Sequence, residues 1–179
     1  MPTQKFALDV CYKSDVSTLF TPNANNPISM AYGFVQMVDD DNFIERGAIV
    51  DLSIDAGDDV SFTFLDIAAN PATISSIVIS CNDVTPPNNP NNPKRNVSPF
   101  GWTNGTYTVP TTQLTTTSPF GSSGCNMNGH GLTIGPFTAQ AAPGNKNKTY
   151  DITITITVNM PDGSTRVFQV DPEMDVMAE

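Results

Sequence analysis

The clearest pattern along this 179-residue chain is a strict alternation of apolar and polar residues near its C-terminal end. In Tyr150–Val158 every second residue is apolar, and the residues between them are one aspartate and three threonines. Successive side chains of a strand point to opposite faces of a sheet, so this alternation predicts a strand with one dry face. Turn-forming residues follow in Met160–Ser164, and Thr165–Val170 resumes an extended pattern, which predicts a β-hairpin.

The same short-period pattern recurs along the rest of the chain. It predicts a first strand at Lys5–Tyr12, a strand that is apolar on both faces at Ile28–Val38, a hairpin formed by Ala48–Ile54 and Val60–Leu65, and a strand at Ser75–Cys81. No segment keeps a 3.6-residue period over three turns, so we expect little helix. Short strands separated by turn residues are typical of sandwiches and barrels. The predicted fold is therefore all-β, a single antiparallel β-sandwich of the jelly-roll or immunoglobulin-like type with about seven to nine strands.

One stretch interrupts the strand pattern. Val84–Pro99 is dominated by proline and asparagine and carries too little apolar surface to fold alone. Each flanking half would hold only three or four strands and would make a poor independent core. We therefore expect a single domain that spans residues 1–179, with an exposed loop at about residues 84–99.

Charge and cysteine content narrow the possible partners and the compartment. The 18 acidic and 8 basic residues give a formal net charge of −10, which repels nucleic acid and anionic membrane surfaces. No apolar run approaches the roughly 20 residues that span a bilayer. Met1–Lys5 leads directly into a strand-like segment without an export signal, so we expect a cytoplasmic location. Cys11, Cys81 and Cys125 are an odd number without paired spacing, which favours reduced thiols.

The single histidine, His130, is the first candidate for catalysis. Serine–histidine and cysteine–histidine pairs need the base within hydrogen-bond reach of the nucleophile. Ser122 and Cys125 are close to His130 in sequence, but Gly121–Gly124 lacks the spacing of a nucleophile elbow. A solvent-exposed histidine between two glycines accounts for the same pattern. We therefore expect no catalytic residue, no cofactor and no enzymatic activity.

Acidic turns raise the question of a metal ion. One histidine and three scattered cysteines do not match the common zinc patterns. Calcium prefers carboxylate and carbonyl oxygens, which Asp39, Asp40 and Asp41 supply densely, as does Asp55–Asp59. Neither cluster has the spacing of a helix–loop–helix calcium site, and aspartates also cap turns and keep sheet edges soluble. Calcium at Asp39, Asp40 and Asp41 is one hypothesis, and turn capping is the other.

Aromatic and amide side chains in turn-rich sequence suggest a sugar-binding surface. Trp102, Asn104 and Tyr107 lie in such a stretch, and carbohydrate sites combine an exposed aromatic ring with amide or carboxylate hydrogen-bonding groups. The structural alternative is that Trp102 plugs one end of the sandwich.

Three segments, taken in order, carry a family resemblance. The first is the strand Phe6–Val10 followed by the Asn/Pro loop Pro22–Pro27. The second is Gly47–Val60, with a strand, a Gly-Asp turn and a further strand, and the third is Phe168–Val176, an aromatic strand with an Asp-Pro step and a final valine. Together with the chain length and low pI, these segments resemble the PixA/AidA inclusion body protein family. The resemblance implies a non-enzymatic all-β protein that accumulates in the bacterial cytoplasm, sometimes as crystalline inclusions, and it supplies no catalytic residues.

Two functions follow as predictions. The first is a structural, self-associating role of the inclusion-body type, in which homo-oligomers form through sheet edges or surface loops; Tyr150–Val158 is long enough to template such pairing if it is uncovered. The alternative is a carbohydrate-binding module, assisted by calcium, that uses Trp102, Asn104 and Tyr107 together with the acidic cluster at residues 39–41.

Overall fold

The computed structural model of the chain describes residues 3–15, 25, 27–29, 33–39, 42–48, 51–66, 68, 72–84, 95–114, 117–121, 128–141 and 146–178. These residues form thirteen strands and two single-turn 3₁₀ helices. The strands are β1 Lys5–Tyr12, β2 Ile28–Ser29, β3 Gly33–Asp39, β4 Asn42–Ala48, β5 Asp51–Asp55, β6 Asp59–Asp66, β7 Thr73–Asp83, β8 Thr106–Thr108, β9 Thr117–Gly121, β10 Asn128–Thr138, β11 Lys148–Asn159, β12 Thr165–Val170 and β13 Glu173–Met177, and the 3₁₀ helices are Thr103–Gly105 and Thr111–Gln113.

The strands form two mixed sheets. The first sheet has the order β4-β3-β1-β6-β10-β9. The second is built around β11, which pairs with β7 along one side. On its other side β11 pairs with β12 through its C-terminal half and with β13 through its N-terminal half. The outer neighbours of these strands are β2 beside β12, β5 beside β13 and β8 beside β7.

The core lies between the two sheets, and β11 contributes its whole apolar face. Ile154, Ile156 and Val158 have no exposed surface, whereas the threonines between them are partly exposed. Each buried side chain of this size contributes about 1.5–3 kcal/mol. The alternation in the sequence thus identified the buried face of the central strand. The other fully buried large side chains include Leu8, Phe62, Phe64, Leu65, Ile77, Ile79, Ile152 and Phe168.

The prediction of an all-β sandwich with little helix is confirmed. In detail the structure differs, because thirteen strands replace the expected seven to nine and not every pair is antiparallel. β1 runs parallel to β6, β2 to β12, and β5 to β13. Part of the higher count arises at Asp171 and Pro172, which separate β12 from β13 although both pair with β11. Among the described residues no helix has the length and apolar character needed to cross a membrane.

The predicted hairpin of Ala48–Ile54 with Val60–Leu65 is wrong. β5 belongs to the second sheet and β6 to the first, so the turn between them crosses the sandwich. The buried carboxylate of Asp58 holds this crossing, because it accepts hydrogen bonds from the backbone amides of Gln4 and Asp55, both at 2.8 Å. Similarly, the strand predicted at Ile28–Val38 is divided between β2 and β3, which lie in different sheets.

The proline- and asparagine-rich stretch starts and ends at one point on the second sheet. Asp83 and Arg95 exchange two backbone hydrogen bonds, of 2.9 and 3.3 Å. The side chain of Asp83 also forms a 2.9 Å ion pair with Lys148 at the start of β11. Residues 85–94 of the predicted loop lie outside the described residues. Buried side chains from both sides of the stretch belong to one apolar cluster.

Candidate functional site

Five aromatic side chains meet where the two sheets face each other near β8. We call them the aromatic cluster: Phe62, Phe100, Trp102, Tyr107 and Phe137. Tyr107 comes from β8 of the second sheet, and Phe137 comes from β10 of the first; their ring centroids are 4.9 Å apart. Trp102 lies 5.0 Å from Phe137 and 5.4 Å from Tyr107. Phe62 and Phe100 are buried, whereas the other three rings are partly exposed. The cluster therefore joins the core to the surface.

A tight turn positions the two aromatic residues of the second sheet. In the 3₁₀ turn Thr103–Gly105, Asn104 and Gly105 both have left-handed backbone angles, with φ of 52° and 68°. The Gly105 amide donates to the carbonyl of Trp102 at 3.1 Å. A Cβ at Gly105 would lie 2.5 Å from the carbonyl oxygen of Cys81, so the turn packs directly on β7. Only glycine permits this approach, which sets Trp102 and Tyr107 side by side.

A bulge in β10 brings Phe137 into the cluster. Ile134 pairs with Phe62 and Phe137 pairs with Val60, so β10 has one more residue than β6 over this interval. Gly135 has φ of 100° and is followed by a cis peptide bond to Pro136. Because side chains alternate between faces, the extra residue rotates Phe137 onto the core-facing side, where Val60 also points.

An open groove of about 450 Å³ borders the exposed side of the cluster. Its lining includes the aromatic residues Tyr107 and Phe137 and the polar residues Gln113 and Thr133. β9 pairs with β10 only as far as Gly131. Beyond that residue β10 has no strand partner on this side among the described residues, so the groove follows an unpaired strand edge.

The structure brings together two of the three residues predicted for sugar binding. Trp102 and Tyr107 are in contact, but only Tyr107 lines the groove. The Trp102 ring packs against buried Phe100, with centroids 4.9 Å apart, which agrees with the alternative in which Trp102 plugs the sandwich. Asn104 is exposed and is not part of the lining. The sequence gives no signal for Phe137 and Gln113 as groove residues, because Phe137 lies in a short apolar stretch typical of a core strand and Gln113 lies in a Thr-rich stretch without periodicity.

The acidic turns give a mixed result. The backbone of Asp39 ends β3, but its side chain, together with Asp40 and Asp41, lies outside the described part of the chain. In the second cluster, Asp58 binds two backbone amides and Asp59 accepts a 2.6 Å hydrogen bond from the Thr138 hydroxyl. These contacts agree with turn capping. Within the described ranges, no three histidine, cysteine, aspartate or glutamate residues are grouped to hold a metal ion.

The candidate catalytic residues are only partly described. The backbone of His130 lies in β10 opposite Asp66, and nothing is described of the His130 side chain, Ser122 or Cys125. Asp66 is buried, and its carboxylate accepts hydrogen bonds of 3.0–3.1 Å from the amides of Ser14, Ala68 and Ala72. These bonds give it a structural role at the end of β6.

Two buried titratable groups of the second sheet are the thiol of Cys81, in β7, and the phenol of Tyr150, in β11. Burial raises the pKa of the Cys81 thiol to about 12, against a partly opposing hydrogen bond with Ser98. Burial, with the nearby charge of Asp83, raises the pKa of Tyr150 to about 12. Burial thus favours the neutral form of both groups.

Comparison with known proteins adds no relative. No family model matches the chain, and neither a curated protein nor a solved structure is significantly similar to it.

Proposed function

We propose that this protein binds carbohydrate in the groove beside Tyr107 and Phe137 and catalyses no reaction. The observation that carries the proposal is that two aromatic residues in contact, both partly exposed, and the amide-bearing residue Gln113 line one open groove of about 450 Å³. Sugar rings present C–H groups that pack on aromatic faces and hydroxyls that pair with amides. The groove combines both kinds of contact in one place.

Rigidity of the aromatic surface supports this function. Phe137 lies 6.1 Å from Phe62 and 5.9 Å from Phe100, and both of these phenylalanines are buried. Tyr107 is held between Trp102 and Phe137. Rings that are already fixed lose little conformational entropy when a ligand binds, which favours affinity from a small contact area.

A glycan array tests the proposal. The protein should bind a subset of glycans, and Tyr107→Ala and Gln113→Ala should each weaken that binding by about tenfold, equivalent to 1.4 kcal/mol. Gln169→Ala is the matched control for Gln113→Ala, because Gln169 lies on β12, on the other side of β11 and β7 from β8. Running the array with calcium and again with a chelator tests whether calcium assists glycan binding, as the hypothesis of a calcium site at residues 39–41 predicts. Absence of binding to every glycan under both conditions would contradict the proposed function.

Self-association in the bacterial cytoplasm is the second candidate, and the resemblance to the PixA/AidA family favours that setting. β11 does not serve as its template, since β7 covers one side and β12 and β13 cover the other. The observation that favours self-association is β4, a seven-residue edge strand without a strand partner on its outer side among the described residues. In β4, Ile44 and Glu45 together lie opposite one residue of β3, and such a bulge limits edge pairing.

A concentration series measured by light scattering tests the second candidate. If homo-oligomers form, the measured molar mass should rise with protein concentration. A constant monomer mass up to high concentration would rule the self-associating role out.

A further inference from the structure

The groove differs in charge from the chain that contains it. The whole chain carries a formal net charge of −10, yet the described residues that line the groove include no aspartate, glutamate, lysine, arginine or histidine. An anionic sugar entering the groove would meet no cation among the described lining residues and would be repelled by the surrounding acidic protein. Desolvating its carboxylate without a partner would also be costly. A ligand without charge avoids both costs.

The rings of the groove form a corner instead of a plane. The ring planes of Tyr107 and Phe137 are inclined at 68°. A flat polymer surface is matched by aromatic rings that share one plane, whereas a corner encloses the edge and one face of a single sugar ring. The groove volume of about 450 Å³ falls at the lower end of the roughly 300–1,000 Å³ that small-molecule sites occupy.

From these two features we propose that the groove takes a short, neutral oligosaccharide or the neutral end of a longer glycan. It discriminates against glycans that carry uronic acid or sulfate, and against flat crystalline polysaccharide. This inference rests on the proposed carbohydrate-binding function and adds the ligand class to it.

The single tryptophan of the chain provides the readout. Trp102 lies 5.4 Å from Tyr107, so its fluorescence should respond when the groove is filled. The probes are short oligosaccharides of glucose, galactose, mannose and N-acetylglucosamine, matched in length to oligosaccharides that contain uronic acid. We expect a saturable change with at least one neutral oligosaccharide, an affinity at least about tenfold weaker for its uronic acid counterpart, and little dependence on salt. Sedimentation with crystalline cellulose or chitin should leave the protein in solution.

A charge introduced into the groove gives a gain-of-function test. Gln113 is exposed in a 3₁₀ turn, so Gln113→Lys should fold normally and should raise the affinity for the uronic acid oligosaccharide, relative to that for its neutral counterpart, by about threefold to tenfold. Gln169→Lys, on the other side of the second sheet's central strands, adds the same charge away from the groove and should leave that affinity unchanged.

The possible outcomes separate the inference from the function on which it rests. Equal or tighter binding of the uronic acid oligosaccharides, or sedimentation with the crystalline polymer, overturns the ligand class but leaves carbohydrate binding in place. Failure of every soluble and insoluble glycan to bind overturns the proposed function together with the inference.

Discussion

Replacement of Gly105 by alanine tests the close packing that positions the aromatic cluster. A Cβ at this position would lie 2.5 Å from the carbonyl oxygen of Cys81, 2.6 Å from the carbonyl carbon of Asn96 and 2.7 Å from the amide nitrogen of Val97. All three are backbone atoms, so no side-chain rotation relieves the overlap. Either β7 or the segment at residues 95–97 must move away from the turn.

The expected loss of stability has two parts. An alanine at the left-handed angle of Gly105 costs about 1–2 kcal/mol. Forcing extra volume into a packed site costs about 1–3 kcal/mol more. The sum of about 2–5 kcal/mol is a large share of the roughly 5–15 kcal/mol that stabilises a typical domain. For a chain of this length it corresponds to a fall in melting temperature of about 4–20 °C.

Gly163→Ala is the matched control. Gly163 also has a left-handed backbone, with φ of 84°, but no atom lies within 4 Å of its would-be Cβ. This variant should lose only the backbone contribution of about 1–2 kcal/mol. Urea unfolding followed by Trp102 fluorescence and by circular dichroism measures both variants. If Gly105→Ala is no less stable than Gly163→Ala, the close approach of the turn to β7 does not constrain this part of the fold.

Four further predictions concern the buried hydroxyl of Tyr12, the buried thiol of Cys81 and the stretch at residues 85–94. Tyr12→Phe should leave the free energy of unfolding unchanged or raise it by about 1 kcal/mol, because the buried hydroxyl has no hydrogen-bond partner among the described residues. A clear decrease of this free energy, measured by urea unfolding, would contradict the prediction. With the other two cysteines replaced by serine, Cys81 should resist a thiol reagent until urea unfolds the protein, and rapid labelling of the native protein would refute its burial. Burial raises the pKa of the Cys81 thiol from about 9 in the unfolded chain to about 12 in the folded protein. The contribution of this thiol to the free energy of unfolding is therefore complete below about pH 9 and is lost between about pH 9 and 12, with a slope that approaches 1.4 kcal/mol per pH unit. Cys81→Ala should remove one proton from the measured pH dependence of stability. Replacing residues 85–94 by Asn-Gly should preserve cooperative thermal unfolding and change the free energy of unfolding by no more than about 1 kcal/mol. The reason is that Asp83 and Arg95 already join the two ends of the stretch, and loop length has a weak effect on stability. Loss of the cooperative transition would show that the stretch supports the fold.

Local periodicity accounts for what was predictable. The alternation in Tyr150–Val158 identified both the strand and its buried face, and Lys5–Tyr12 matches β1 at both ends. The C-terminal hairpin of β11 and β12 is also confirmed. In each case the signal lies within a few neighbouring residues, where the two-residue period of an extended chain determines which side chains leave water.

Which strands pair with one another was decided by the tertiary structure. The turn at Gly57 and Asp58 looks like a hairpin turn, but it carries the chain from one sheet to the other, held by the amide of Gln4 from the start of the chain. Likewise, β11 had the sequence of a possible open edge and became the central strand. Strand pairing depends on backbone hydrogen bonds between distant segments, and local patterning does not encode them.

The candidate site divides in the same way. Sequence alone identified Trp102 and Tyr107, because both lie in one short turn-rich stretch. Only the folded chain added Phe137, since the bulge at Gly135 and Pro136 turns this side chain onto the face where the aromatic cluster lies. A single extra residue reverses the face of everything that follows it in a strand, and that residue is recognised only against the register of the neighbouring strand.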